Sequence, residues 1–310
     1  MDIHNSARLT PKGREAMVRA VVDDGLSKAA VARHRFLRST HIAALVDRSH
    51  DRINKRLLRL FHAGYIDRPR AQLDTYPTQG SASMAYAIAD RGMRLLAGRD
   101  GTAFANRERS RNNARVRRPF IEHQLEVMDF YVALVTSTRD RDDVRLMPPE
   151  ELVAGFPQPP SNAGNPFAMR VDLSRNGRMQ EVGLVPDLAF GLMHADGSKR
   201  CFLVEIDRGT MPIRRSDIRQ SSFQRKMFAY LAAYAARRHE RIFGWRTFRA
   251  LVVTTDQNRI QSMLETLHEF QNARESDAKL FFFVTRDGIT KCGPLIDVWR
   301  NGNKRKSCLI

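Results

Sequence analysis

Hydrophobic positions in the first third of the chain recur at helical spacing, and later segments turn to strand-like apolar runs. Ser39-Thr40 is placed to cap a short helix over His41–Val46. After a break at Asp47-Arg48, Ser49 is placed to cap a second helix, Asp51 to His62. Asp51 falls in its first turn, where the helix dipole favours an anion. Ile53, Leu57, Leu60 and Phe61 make one stripe of that helix, and Arg52, Lys55, Arg56 and Arg59 gather on the far side. Ala63-Gly64 ends it. Tyr65–Arg68 and Met84–Ile88 then read as two strands around a loop rich in Gly, Pro, Gln and Ser. Asp90 caps a further helix, Arg91 to Ala97, closed by Gly98.

Further on, Ile121, Leu125, Met128 and Val132 keep helical spacing, whereas a polar, Pro-rich stretch over 139–170 carries no assignable pattern. Leu184–Phe190 and Arg200–Asp207 read as strands joined through Ala195-Asp196-Gly197-Ser198, a hairpin signal. A helix from Asp217 to Arg237 carries Phe223, Met227, Tyr230, Leu231 and Tyr234 on one stripe. Strand Ala250–Thr255, helix Ile260–Ala273 and strand Leu280–Thr285 follow. This order predicts an α/β (α+β) fold with a central mixed sheet covered by helices.

The order helix, turn, basic-faced helix, hairpin, helix over residues 35–100 is that of a winged helix-turn-helix. A helix fits the major groove of duplex DNA, and basic side chains meet phosphates at its rim. Arg68 and Arg70, at the wing, are placed to touch the neighbouring backbone. The competing reading is a protein-interaction module whose exposed helix is basic.

Charge sharpens this division. The 310 residues hold 52 Lys and Arg against 34 Asp and Glu, a net of +18. Residues 1–118 account for 24 basic and 11 acidic side chains, a net of +13, and the remainder is close to neutral. A basic module that meets a polyanion, joined to a second domain of different character, follows from that asymmetry. Residues 107–118, with six arginines and one acid, read as an extended basic linker that either lies along phosphates or is merely solvated. Residues 301–310 read as a basic tail.

The longest apolar run, Met227 to Ala236, is ten residues, too short for a membrane span. Met1-Asp2-Ile3-His4 begins no secretory signal, and three scattered cysteines (Cys201, Cys292, Cys308) fit neither a disulfide scaffold nor structural zinc. A reducing cytoplasm is the expected location.

Chemistry concentrates around residues 187–226. Glu205 and Asp207 are two apart on a strand and share a face, and Asp187 on the preceding strand can join them. Three hard oxygen ligands, Asp187, Glu205 and Asp207, suit Mg²⁺ or Mn²⁺. Proline before Asp187 and an acidic pair 18 residues on resemble the PD-(D/E)xK nuclease core, giving residues 119–300 a restriction-endonuclease-like mixed-sheet domain. That resemblance implies a catalytic set of Glu122, Asp187, Glu205 and, as a migrated lysine, Lys226, because the expected lysine position holds Asp207. The alternative is an ion network of Glu205, Asp207, Arg208 and Lys226 that ties sheet to helix.

From Phe36 to Trp299 the chain resembles the replication-relaxation family of plasmid and mobile-element proteins. The resemblance rests on Phe36–Ala43, Leu57–Ile66, Tyr86–Gly92, Glu122-His123, Asp129–Leu134, Val185-Pro186-Asp187, Glu205–Thr210, and Lys226 with Tyr230. It implies handling of double-stranded DNA during plasmid replication or mobilisation, beside a relaxase or replication initiator. Homodimerisation stays open. Residues 1–34 resemble a truncated helix-turn-helix of insertion-sequence transposases, the mark of a fusion at a mobile-element junction. Three functions are consistent with all of this: a DNA-binding accessory protein, a metal-dependent endonuclease or nickase, and a transcriptional repressor.

Overall fold

The computed structural model describes residues 35–72, 83–100, 109–160, 165–175, 178–216, 220–268, 279–296 and 299–310. Residues 1–34, expected as a leader, lie outside them, as do residues 73–82, expected in the wing loop, and Asp217–Arg219. The chain forms two compact units, Met1–Val132 and Ala133–Ile310.

In the first unit, β1 (Leu37–Arg38) leads into α1 (Ser39–Leu45) and α2 (His50–His62), followed by β2 (Ile66–Asp67), β3 (Ala85–Ile88) and α3 (Asp90–Asp100). The strands form an antiparallel sheet in the order β1-β3-β2, with Leu37 opposite Tyr86 and Ile66 opposite Ile88. α2 forms where its stripe demanded: Ile53, Leu57 and Leu60 are buried. It stops at Gly64, whose φ of +73° suits glycine. The Gly64 and Tyr65 N–H groups donate to the Phe61 and Leu60 carbonyls (2.9 and 3.0 Å). Buried Phe36 packs with Ala85, Ala87, Ile121 and Leu125.

Two expectations for this unit are corrected. α3 runs through Gly98 to Asp100 instead of ending at Ala97. Residues 107–118, expected as an extended linker, contain α4 (Arg109–Arg115). Its anchor is a polar residue: Asn113 is 0% exposed, donates to Asp67 Oδ2 (2.9 Å) and the Ile88 carbonyl (3.2 Å), and accepts from Arg35 Nε (3.0 Å). Ser110 and Asp90 exchange two further bonds, Asp90 N to Ser110 Oγ (3.0 Å) and Ser110 N to Asp90 Oδ1 (3.2 Å). α5 (Arg118–Thr138) begins next. Its Asp129 accepts from Arg38 Nη1 (2.5 Å) and His41 Nε2 (2.6 Å). Burial alone would raise the Asp129 pKa, but His41 and Arg38 hold it below the ordinary carboxylate value.

The second unit is built on a seven-stranded mixed sheet in the order β12-β11-β10-β9-β8-β7-β4. The strands are β4 (Val144–Met147), β7 (Leu188–His194), β8 (Lys199–Ile206), β9 (Arg249–Thr254), β10 (Phe281–Thr285), β11 (Trp299–Asn301) and β12 (Lys306–Ser307). β8, β9 and β10 are parallel, and their connections carry α7 (Phe223–Ala235), α8 (Arg238–Phe243) and α9 (Gln257–His268). α6 (Pro149–Ala154) follows β4, and α10 (Arg286–Cys292) follows β10. The remaining sheet is the hairpin of β5 (Met169–Arg175) and β6 (Arg178–Leu184).

The core of this unit joins one sheet face to the helices: Leu203, Ala250, Val252, Phe281 and Phe283 meet Phe223, Met227, Tyr230, Ile260 and Leu264. Burying a side chain of this size contributes about 1.5–3 kcal/mol. The expected helix from Asp217 instead begins at Phe223. Ser222 accepts from Arg225 N (3.2 Å), and the first helical N–H groups donate to the carbonyls of Pro212 and Ile213 (3.1 and 2.8 Å). The expected basic tail is also corrected: β12 closes the sheet edge, and Leu309 is buried with its N–H on the Leu295 carbonyl (3.0 Å). Among the described residues no helix is long and apolar enough to cross a membrane.

Candidate nucleic-acid face and acidic cluster

Two sets of residues carry the chemistry, one in each unit. In the first, α2 turns Ile53, Leu57 and Leu60 inward and thereby turns its cations outward. Arg52, Lys55 and Arg59 are exposed, and Arg56 is half-buried. Leu58 is also exposed, an apolar residue among these cations. Arg68 and Arg70, the arginines expected at a wing, differ. Arg70 is exposed in a short 3₁₀ turn, Arg70–Gln72. Arg68 instead lies over the rings of Phe61 (4.5 Å) and Tyr86 (5.1 Å) and donates from Nη2 to the Tyr86 hydroxyl (3.0 Å). Its guanidinium therefore ties β3 to α2, a stacking role that a planar cation fills well.

The acidic cluster forms in the second unit at the carboxyl end of β8. Asp187 N–H donates to the Val204 carbonyl (2.9 Å), and Asp187 Oδ2 accepts from Ile206 N (2.8 Å), so the carboxylate is fixed beside the strand end. Glu205 is 1% exposed and faces α7. Its Oε2 accepts from Lys226 Nζ and its Oε1 from the Tyr230 hydroxyl (2.7 Å). Burial drives the Glu205 pKa up to about 7; Lys226 opposes the rise and Asp187 adds to it. Burial acts to lower the Lys226 pKa, but Glu205, Asp187 and Asp207 together lift it above the ordinary lysine value. Tyr230, fully enclosed beside Glu205, is raised well above an ordinary tyrosine.

Asp207 shares the Glu205 face, as strand alternation requires, but its partners come from elsewhere. Arg259 grips it through two nitrogens, Nε to Oδ2 and Nη2 to Oδ1, the latter at 2.9 Å. Thr254 Oγ1 donates to Oδ2 (2.5 Å) and Gly209 N to Oδ1 (3.3 Å). Arg259 Nη2 also reaches the Met211 carbonyl (2.6 Å), and Arg286 Nη2 reaches the Asp207 carbonyl (3.3 Å).

The structure therefore brings Asp187, Glu205, Asp207 and Lys226 into one neighbourhood. Glu122 lies in the other unit, where its Oε1 accepts from Arg118 Nε (2.6 Å). Asp207 does not stand as the third carboxylate of a metal set, because Arg259, Thr254 and Gly209 take both of its oxygens. Both Glu205 oxygens are occupied as well. Among the described residues, no three His, Cys, Asp or Glu side chains are grouped to hold a metal ion. In this arrangement Asp187, Glu205 and Asp207 do not form the expected three-carboxylate site for Mg²⁺ or Mn²⁺.

Sequence reasoning missed Arg259 and the hydroxyl role of Tyr230. Tyr230 was visible as part of an apolar stripe and beside Lys226 in the family resemblance, with no hydrogen-bonding role assigned. Arg259 had a local signal in Asp256, whose Oδ1 accepts from Arg259 N (2.9 Å) and opens α9.

The chain thus joins a basic first unit to a mixed-sheet α/β unit with an enclosed acidic cluster. The chain belongs to the replication-relaxation family, whose sequence model matches residues 29–245. No curated protein and no solved structure matches it.

Proposed function

We propose that this protein is a double-stranded-DNA-binding accessory factor of plasmid or mobile-element replication or mobilisation. The observation that carries the reading is the outward face of α2, where Arg52, Lys55, Arg56 and Arg59 project opposite a buried apolar stripe. Phosphate contacts from these cations supply affinity without sequence information. Leu58, exposed among them, offers an apolar surface of the kind that meets a thymine methyl group. Membership of the replication-relaxation family supports the biological setting, with a relaxase or replication initiator as the partner to seek.

The rival is a metal-dependent nickase using Glu122, Asp187, Glu205 and Lys226. The donors that occupy Glu205 and Asp207 weigh against it, and the outcome separates cleanly in one experiment. Full-length protein is mixed with supercoiled and linear plasmid in EDTA, then in Mg²⁺ or Mn²⁺. The accessory-factor reading expects retarded DNA in both conditions and no change of topology. Nicking that appears with metal and disappears in Asp187→Ala would establish the rival. Failure to retard duplex DNA in either condition overturns the proposal.

A further inference from the structure

The acidic cluster contains a cation of its own. Lys226 enters it from α7, and its ammonium donates to Glu205 Oε2. The same ammonium lies within electrostatic reach of Asp187 and Asp207. Tyr230 takes the second Glu205 oxygen, and Arg259 neutralises Asp207. A divalent ion binds through carboxylate oxygens, and here every oxygen of Glu205 and Asp207 already accepts an N–H or O–H donor.

We infer that the Lys226 ammonium is the resident counter-cation of this cluster and occupies the place that a divalent metal would otherwise take. Two features of the geometry support this. Removing a partner from a buried ion pair leaves an uncompensated charge, so Glu205 depends on a cation at this point. The Lys226 side chain is 29% exposed while Glu205 is 1% exposed, so the lysine stem runs from solvent to the enclosed carboxylate. Truncating the stem opens a path along it and removes the competing charge. Asp187 and Glu205 are then left beside a solvent-connected space, and Mg²⁺-like ions are held by one or two carboxylates while keeping several waters. The inference concerns the second unit and stands whether or not α2 binds DNA.

The test uses Mn²⁺ as probe and the full chain, with free Mn²⁺ followed by electron paramagnetic resonance. Wild type, Lys226→Ala, Lys226→Gln and the double variant Lys226→Ala/Glu205→Gln are titrated at equal pH, with circular dichroism confirming the fold of each. The wild-type chain is expected to show no saturable Mn²⁺ site that depends on Glu205. Lys226→Ala gains one site, at least about tenfold tighter than any in wild type, and the double variant loses that gain. Should Lys226→Ala fail to fold, Lys226→Gln, neutral and closer in size, carries the same comparison. A one-per-chain Mn²⁺ site in wild type that Glu205→Gln abolishes would overturn the inference. So would a folded Lys226 variant that gains no Mn²⁺ site.

Discussion

Glu205 is the most telling single position for the electrostatics of the second unit. Its carboxyl is 1% exposed and its pKa stands at about 7, against an ordinary value of 4.5. Between those values the folded chain holds a proton that the unfolded chain has released. Stability from this group is therefore complete below about pH 4.5 and is lost as pH rises through 7. A gap of this size at about 1.4 kcal/mol per pH unit amounts to about 3 kcal/mol. Lys226, raised above the ordinary lysine value, keeps its charge across this window and adds no slope of its own. Glu205→Gln removes the titration. The stability difference, variant minus wild type, should move in favour of the variant by about 3 kcal/mol from pH 4.5 to pH 8. Taking the difference cancels the other carboxylates. Urea unfolding followed by tryptophan fluorescence is well suited, because the chain has two tryptophans, Trp245 and Trp299, and both lie in the second unit. A difference that stays flat with pH, or that moves the other way, refutes the reasoning: Glu205 would then titrate as an ordinary or a stabilised carboxylate.

Three further outcomes follow from the packing. Arg259→Met leaves Asp207 buried without its guanidinium and should cost about 3–5 kcal/mol in the same fluorescence assay, partly recovered by adding Asp207→Asn. Loss of less than about 1 kcal/mol would show the pair to be dispensable. Gly92→Ala places a methyl 2.3 Å from the Tyr65 carbonyl oxygen, which already accepts from Ala89 N. A cost of about 1–3 kcal/mol in the first unit is expected, read by amide hydrogen exchange in α3 and β3. Asn113→Ala deprives Asp67, Ile88 and Arg35 of their shared partner and should release α4, seen as faster exchange across residues 109–115 with α2 unchanged.

Local signals in the sequence reached the first unit well. Ser49 stands at the start of α2, though its side chain makes no cap bond there, and Gly64 follows the end; the period of Ile53, Leu57 and Leu60 sets which side of α2 faces water. Strand alternation likewise put Glu205 and Asp207 on one face. What alternation could not give was their partners, since Tyr230 and Arg259 arrive from helices 25 and 52 residues further along the chain. α4 escaped notice because, among its described side chains, the buried one is polar Asn113, so apolar periodicity is absent there. The β5 strand had a signal that went unread: Met169, Val171 and Leu173 alternate with Arg170 and Asp172, and only the apolar three are buried. The start of α7 was displaced because loop carbonyls at Pro212 and Ile213, distant in sequence terms from a cap, receive its first N–H groups.

If the cations of α2 meet the phosphates of duplex DNA, the salt dependence of binding must carry their signature. Fluorescence anisotropy with a labelled duplex, at several salt concentrations, compares wild type with the chain carrying Arg52→Ala, Lys55→Ala, Arg56→Ala and Arg59→Ala together. Each phosphate contact contributes about 0.9 to the slope of log K against log salt, so loss of the four should flatten it by roughly 3 to 4 and weaken binding at every concentration. An unchanged slope and affinity in a folded variant would contradict the account.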